Sequence, residues 1–247
     1  MSEMDDRGKW MIMNETSTVS EDGSRVINKV PLCMQSYSWD CGLACACMVL
    51  QYLGKDSHNV YTTELESLNC GESIWSIDLA LLMKRYNVKH CYCTITIGVD
   101  QGYSKQAFYS SKFNIDDKRV SQLFQEATSH GIVVQNRSVT KEEIMSHIEA
   151  GNICIVLVDW NGLECTWCDK TRCQSRLCFS CFNKCCGGYQ GHYVVVCGFD
   201  RKKKKIFYKN PSYDEDLCCS RIDKFDLARK SYGTDEDILF IYKDGVP

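Results

Sequence analysis

The clearest periodic segment of the chain runs from Cys41 to Leu53, where apolar residues recur at helical spacing. Asp40 is the predicted N-cap and Gly54 is the predicted C-cap, so the pattern predicts a helix with a capping residue at each end. Thr140 and Glu143 have the spacing of a capping box and predict another helix start. Together with that segment, the pattern predicts further helices at 76–86, 121–129, 140–150 and 223–230.

Short apolar runs predict β-strands, and most of these runs lie in the second half of the chain. They lie at 89–97, 153–158, 191–198, 206–208 and 238–242. The basic run 201–205 falls between two of these strands and predicts a hairpin turn. Because helices gather early and strands gather late, the order of elements favours an α+β fold.

The length and punctuation of the chain indicate one domain. A chain of 247 residues is long enough for a sizeable core, and with only three prolines no proline-rich linker divides it. Residues 1–24 are polar and charged and predict a mobile tail. We therefore expect a single domain at 25–247, with a cysteine-rich insertion at 161–189.

Charge and hydropathy exclude two classes of partner. Lys and Arg total 29 against 32 Asp and Glu, so the net charge is -3 and no basic face for nucleic acid is expected. The apolar run 153–160 is far shorter than the roughly 20 residues of a membrane span. The N-terminus has no apolar core of a signal peptide. These features predict a cytoplasmic protein, with the nucleus as a second compartment, and leave its oligomeric state open.

Cysteine is the most unusual component of the composition. The chain has 18 cysteines, and without a secretory signal most are expected to be free thiols. Seven of them fall between Cys165 and Cys186. Two Cys-x-x-Cys pairs, Cys165 with Cys168 and Cys178 with Cys181, suit a tetrahedral structural zinc ion. A redox-labile loop and a set of disulfides are the alternatives.

A candidate nucleophile opens the first predicted helix. Cys41 would lie in its first turn, where unpaired amides favour a thiolate and lower its pKa. Gln35 precedes it by six positions and could donate its side-chain amide to an oxyanion. Cys45 and Cys47 lie deeper in the helix and are interpreted as buried apolar side chains.

A candidate base and its partner lie far downstream. His192 opens the predicted strand 191–198, and Asn210 follows the adjacent strand 206–208. Side chains at the ends of two neighbouring strands can face each other, so Asn210 could orient the imidazole of His192. The expected site is therefore Cys41 as nucleophile, His192 as base, Asn210 as orienting residue and Gln35 as oxyanion donor.

The candidate site residues and the segments around them resemble those of known families. The order of Gln35, Cys41, His192 and Asn210 resembles papain-like cysteine peptidases, and the segment Asp40–Cys45 resembles their C39-like branch. C39 peptidases usually have Asp-Pro where this chain has Asn210-Pro211, although asparagine orients the histidine in papain-like enzymes. At finer grain, about residues 30–243 resemble the family of guanylyl cyclase domain-containing protein 1 and plant guanylyl cyclase 1. The matching segments are Trp39–Cys45, Ser73–Ala80, Gln190–Val195 and Ser231–Leu239.

The resemblance implies an α+β, papain-like domain in which the nucleophile's helix packs against a C-terminal antiparallel sheet. It also implies two activities that differ. The peptidase resemblance implies a thiol hydrolase that acts on a peptide or protein substrate through a thioester. The family name implies conversion of GTP to cGMP, which would need Mg or Mn on carboxylates.

The residues themselves favour thiol chemistry. No P-loop is present, and the acidic runs 235–237 and 214–216 are interpreted as solvated turns. The prediction is a papain-like thiol hydrolase. A guanylyl cyclase and a catalytically inactive, peptidase-like interaction module are the alternatives.

Overall fold

The computed structural model describes residues 2–4, 10–13, 17–105, 107–110, 113–168 and 188–243. Within these ranges the chain combines seven α-helices with an eleven-stranded sheet. The helices are α1 (Cys41–Tyr52), α2 (Leu65–Leu68), α3 (Ser76–Arg85), α4 (Ala107–Ser110), α5 (Phe113–Glu126), α6 (Lys141–Glu149) and α7 (Ile222–Arg229). The strands are β1 (Ser2–Met4), β2 (Trp10–Met13), β3 (Ser17–Ser20), β4 (Arg25–Asn28), β5 (Lys89–Thr94), β6 (Val134–Asn136), β7 (Ile153–Asp159), β8 (Gly191–Asp200), β9 (Lys205–Lys209), β10 (Cys218–Arg221) and β11 (Ile238–Tyr242).

The sheet is mixed but mostly antiparallel. Its main path runs β1-β2-β3-β4-β8-β7-β11-β5-β6, with β9 paired to β8 and β10 paired to β9. The pair β5–β6 is parallel. Strand β8 has three partners, because β7 pairs with residues 191–196, β4 with 198–200 and β9 with 195–200. This strand, which begins just before His192, is therefore the centre of the sheet.

Alternation along β8 divides the core in two. Tyr193, Val195 and Cys197 belong to the apolar cluster that includes α1 and α3, whereas Val194 and Val196 belong to the cluster that includes α6 and α7. Since successive side chains of a strand point to opposite faces, helices cover both faces of this sheet. The arrangement confirms the predicted α+β class and the packing of the first long helix against the sheet.

Helix α1 is buried on nearly all sides. All ten residues from Cys41 to Leu50 are buried, which is typical of a helix in the core rather than on the surface. The predicted helix at 41–53 is thus confirmed, and it is held between β8 and α3. None of the helices described is long and apolar enough to cross a membrane.

Several predicted boundaries differ from the structure. Helix α5 begins at Phe113, eight residues before the predicted start at 121, because Phe113, Asp116 and Val120 are buried together at helical spacing. A buried carboxylate hides that pattern from a reading of apolar residues alone. Strand β5 ends at Thr94 rather than at 97, since Ile95 and Ile97 turn outward and are about half exposed. The capping box at the start of α6 is confirmed, with Glu143 and Thr140 bonded in both directions.

The segment 1–24, predicted to be a mobile tail, contributes to the sheet. Residues Ser17–Ser20 form β3, and Val19 pairs with Val26 of β4. Strand β4 in turn pairs with β8. The four β3 side chains are only partly buried, so their apolar signal is too weak to predict a strand.

Candidate active site

Cys41 is the first residue of α1 and is only 7% exposed. The first hydrogen bond of the helix runs from Ala44 N to Asp40 O, so the amides of Cys41 and Gly42 have no partner within the helix. The backbone N–H groups of Tyr193, Gly42 and Cys41 itself face the sulfur and favour its charged form. The predicted placement of Cys41 in the first helical turn is therefore realised.

The side chain of Asp40 does not cap α1 as predicted. It is the N-cap residue, but its carboxylate makes no bond to the helix. Instead it accepts hydrogen bonds from Ser36 N and Tyr37 N, both at 3.0 Å. The fully buried carboxylate thus shapes the loop that leads into Cys41.

A close approach between α1 and β8 requires glycine at position 42. A Cβ atom there would lie 3.2 Å from Tyr193 Cδ2 and 3.3 Å from Ile74 Cγ2 and Leu79 Cδ1. The missing side chain allows the start of α1 to come within hydrogen-bonding reach of the Tyr193 backbone. Cys41 and the strand that carries His192 therefore meet at this point.

His192 and Asn210 form a buried hydrogen-bonded pair. His192 Nε2 lies 2.9 Å from Asn210 Oδ1, and Ser212 N donates to the same oxygen at 3.0 Å. Because Oδ1 can only accept, Nε2 carries the ring proton and Nδ1 keeps a free lone pair. The ring of Trp160 makes an edge-to-face contact with the imidazole, with 4.3 Å between ring centroids, and covers this pair.

Gln35 is tied to the loop that follows Asn210. Its backbone N–H donates to Pro211 O at 2.9 Å, and its Oε1 accepts from Ser212 Oγ at 2.6 Å. Its amide nitrogen donates to Tyr37 O at 2.6 Å and retains a second N–H. The structure thus brings Gln35, Asn210 and His192 together through Ser212.

Burial sets the protonation of the site. It raises the pKa of the Cys41 thiol to about 11, against the opposing backbone N–H groups. Burial also lowers the pKa of His192 to about 4, although the bond to Asn210 opposes this shift. The expected low pKa of Cys41 is therefore wrong for this state, because desolvation outweighs the helix terminus. Both groups are neutral at pH 7, and among the described residues no hydrogen bond joins the thiol to His192.

The acidic run 235–237 is not the solvated turn that the sequence suggested. Asp237 is only 5% exposed, and burial raises its pKa to about 7, with Asp235 adding to the shift. Asp235 accepts hydrogen bonds from Thr96 Oγ1 and Tyr103 OH, both at 2.6 Å. The run 214–216 does face water at Asp214 and Asp216, as predicted.

Three thiols form a cluster, which we call the thiol cluster: Cys165, Cys168 and Cys218. Their sulfur atoms all lie within 4.8 Å of one another, and the cluster could hold a metal ion. Cys165 Sγ accepts hydrogen bonds from Cys168 N at 3.2 Å and Cys219 N at 3.4 Å. The thiols of Cys168 and Cys218 hold the pKa of Cys165 well below its ordinary value. The predicted ligands Cys178 and Cys181 lie outside the described residues.

Sequence reasoning missed three contributors to these sites. Trp160 and Ser212 surround the His192–Asn210 pair, and Cys218 completes the thiol cluster. Trp160 lies just after the predicted strand 153–158, and Ser212 directly follows Pro211. These positions are the sequence signal from which the two residues could have been found. Cys218 gave no spacing signal, since it follows Cys168 by 50 residues.

The fold and the site together define a class. A buried helix that begins at a cysteine, packed on a largely antiparallel sheet that carries a His–Asn pair, is the architecture of papain-like α+β domains. The fold is similar to a solved structure from Bacillus anthracis described as a C39-like peptidase, with a TM-score of 0.50 and 15% identity. The match covers 88% of this chain and 97% of that chain.

Family membership is established by sequence. A family model described as guanylylate cyclase matches residues 30–241. The protein named Guanylyl cyclase 1 of Arabidopsis thaliana is 38% identical over 215 residues, which cover 86% of this chain and 75% of the relative. The chain belongs to this guanylylate cyclase family.

Proposed function

We propose that this protein is a papain-like thiol hydrolase that cleaves a peptide or isopeptide bond by acyl transfer. Cys41 is the nucleophile, His192 the base, Asn210 the residue that orients it, and Gln35 a donor to the oxyanion. The observation that carries the proposal is the 2.9 Å bond between His192 Nε2 and Asn210 Oδ1. It leaves Nδ1 as the basic nitrogen of a ring whose neighbour, Tyr193, contacts the Cys41 sulfur.

The proposed reaction starts from a neutral thiol and a neutral imidazole. As the Cys41 sulfur attacks the carbonyl carbon, its proton passes to His192 Nδ1, and the negative charge moves to the carbonyl oxygen. The free N–H of Gln35 and the unpaired amide of Cys41 are suited to receive that charge. His192 then gives the proton to the leaving amine, and a thioester remains. Water, deprotonated by His192, hydrolyses the thioester and restores the thiol.

A guanylyl cyclase is the second candidate function. Two observations favour it: the name of the Arabidopsis relative and the buried carboxyl of Asp237 beside Asp235. In that reaction the 3′-hydroxyl of GTP attacks its own α-phosphate and releases pyrophosphate, with Mg or Mn offsetting the charge. Such a site would have no need of the Cys41 thiol.

One experiment separates the two functions. The wild-type protein is incubated with peptidyl and ubiquitin-like electrophiles, and the labelled residue is mapped by mass spectrometry. We expect labelling at Cys41, none in Cys41→Ser, and unchanged labelling in Cys45→Ser, a control in the same buried helix. Metal-dependent cGMP formation that survives Cys41→Ser and disappears in Asp235→Asn/Asp237→Asn would contradict the hydrolase and support the cyclase.

We also propose that the cysteine-rich insertion holds a structural zinc ion. The Cys165 and Cys168 pair supports this, since sulfurs at this spacing suit tetrahedral zinc. The pair Cys178 and Cys181, predicted from sequence, is the proposed source of further ligands. Elemental analysis of protein purified under reducing, chelator-free conditions should find about one zinc per chain.

A further inference from the structure

The thiol cluster joins two parts of the chain that are distant in sequence. Cys165 and Cys168 follow β7 at the start of the insertion, whereas Cys218 is the first residue of β10. In the register of the β9–β10 hairpin, Cys218 is opposite Tyr208. Tyr208 lies two positions before Asn210, which orients His192. The cluster is therefore built on the hairpin that leads into the proposed active site.

The separations between the sulfurs fit a common metal ion. With Zn–S bonds of about 2.3 Å, tetrahedral geometry places two thiolate sulfurs about 3.8 Å apart. The Cys168 and Cys218 sulfurs are 3.4 Å apart, and the other separations are within 4.8 Å. Changes of side-chain torsion that alter these separations by at most about 1 Å bring all three sulfurs to this spacing. Three thiolates favour zinc over magnesium or calcium, which prefer oxygen.

Polar groups around the cluster match those that support thiolate ligands. Two backbone amides, of Cys168 and Cys219, donate to Cys165 Sγ. Such bonds offset the charge that accumulates on a thiolate centre. The Tyr208 hydroxyl is buried beside the cluster and interacts with the Cys165 thiol. A metal-bound thiolate at Cys165 would be a stronger hydrogen-bond acceptor for this hydroxyl than a neutral thiol.

The start of the insertion is already held against β10. Thr166 N donates to Cys219 O at 2.6 Å, and Thr166 Oγ1 donates to the same oxygen at 3.1 Å. Lys205 Nζ, on β9, donates to Thr166 Oγ1 at 3.0 Å. These bonds bring Cys165 and Cys168 to Cys218 without the metal, so the ion would bind to a largely preformed site.

We propose that Cys218 is a ligand of the same zinc ion as Cys165 and Cys168, and that this ion fastens the insertion to the β9–β10 hairpin and positions Asn210. The inference rests on the proposed structural zinc, but it is independent of the proposed hydrolase chemistry. Each thiol loses its proton to solvent as zinc binds. Because structural zinc takes four ligands, this assignment leaves one position, so at most one of the predicted ligands Cys178 and Cys181 can bind the same ion. Cys218 acts on His192 only through the hairpin, so it is a positioning residue.

The test compares Cys218→Ser with Cys219→Ser in the full-length protein. Cys219 is the neighbouring buried cysteine on β10, and its thiol is not part of the cluster. We expect about one zinc per chain in the wild type and in Cys219→Ser, and at least tenfold weaker zinc binding in Cys218→Ser. Cobalt substitution provides a second readout, because the thiolate-to-cobalt absorption band should weaken in Cys218→Ser only.

Two measurements on wild-type protein guard against a variant that fails to fold. Zinc should protect Cys218, but not Cys219, from alkylation. Chelation should accelerate hydrogen exchange in residues 205–221 and at the His192 Nε2 proton. Equal zinc binding by wild type and Cys218→Ser would overturn the assignment of Cys218 while leaving the structural zinc in place. Absence of zinc, or a Cys168–Cys218 disulfide in its place, would overturn both. Unchanged exchange on chelation would overturn the positioning effect.

Discussion

The two cysteine environments of this protein differ in what surrounds the sulfur. Cys41 is a single buried thiol at a helix start, and burial raises its pKa to about 11. Cys165 shares hydrogen bonds with two other thiols and is half-buried, and these bonds hold its pKa well below the ordinary value. Backbone amide donors face a sulfur at both sites. Neighbouring groups and burial, rather than residue type, therefore decide which cysteine is charged.

The largest effects are expected when one thiol at each of the two sites is replaced by a hydroxyl. Cys41→Ser should reduce hydrolysis at least a thousandfold, because a serine hydroxyl stays protonated beside a histidine whose pKa is about 4. Its melting temperature should stay close to that of the wild type. Cys168→Ser should show the reverse pattern, with lower thermal stability and lost zinc but a Cys41 that still reacts. Steady-state kinetics and calorimetry on the two variants measure both effects. Equal losses of activity would show that the two environments are not separate.

Alkylation of the zinc-free protein measures the difference in reactivity between Cys165 and Cys41. At pH 7 Cys165 should react with iodoacetamide about a hundredfold faster than Cys41, because almost none of the Cys41 thiol is ionised four units below its pKa. The Cys41 rate should rise with pH up to about 11. Peptide mapping after timed labelling gives both rates in one sample. Faster labelling of Cys41 than of Cys165 near pH 6 would indicate an ion pair with His192 instead.

Stability at acid pH tests the buried histidine. The ordinary pKa of histidine is 6.5 and that of folded His192 is about 4, so the unfolded chain takes up this proton first as the pH falls. The contribution of neutral His192 to stability is present above pH 6.5 and is lost as the pH falls from 6.5 to 4. The loss should reach about 3 kcal/mol.

His192→Gln should abolish this pH dependence in urea unfolding, whereas His130→Gln, at an exposed position, should preserve it. Asp237 provides a contrast of opposite sign. Its pKa is raised from 3.8 to about 7, so its contribution is lost as the pH rises through that interval. Asp237→Asn should therefore gain stability relative to the wild type above pH 7. A His192→Gln variant with an unchanged acid slope would show that other groups cause it.

The sequence predicted α1, its packing on the sheet and the α+β class, because a long apolar period and paired caps are local signals. It also predicted which residues would gather at the ends of β8 and β9, since neighbouring strand ends must lie close together. The protonation of Cys41 could not be predicted, because desolvation depends on the surrounding α3 and β8. Cys218 was equally hidden, since only the β9–β10 register brings it to Cys168. The burial of Asp237 was missed because three consecutive acidic residues suggest solvent.

The smallest expected effect concerns Gly42, which sets the distance between Cys41 and β8. Alanine at this position gains about 1 kcal/mol of helix propensity, but its Cβ would press on Tyr193, Ile74 and Leu79 at 3.2–3.3 Å. Overpacking of a rigid core costs about 1–3 kcal/mol, so Gly42→Ala should lower the free energy of unfolding by about 1 kcal/mol. Gly188→Ala is the matched control, since a Cβ there meets no atom within 4 Å.

If the start of α1 moves to relieve the contact, the Tyr193 N–H leaves the Cys41 sulfur. Activity should then fall further than stability, while zinc binding at the thiol cluster stays unchanged. A Gly42→Ala protein that is more stable than the wild type and equally active would show that the close approach does not position the nucleophile.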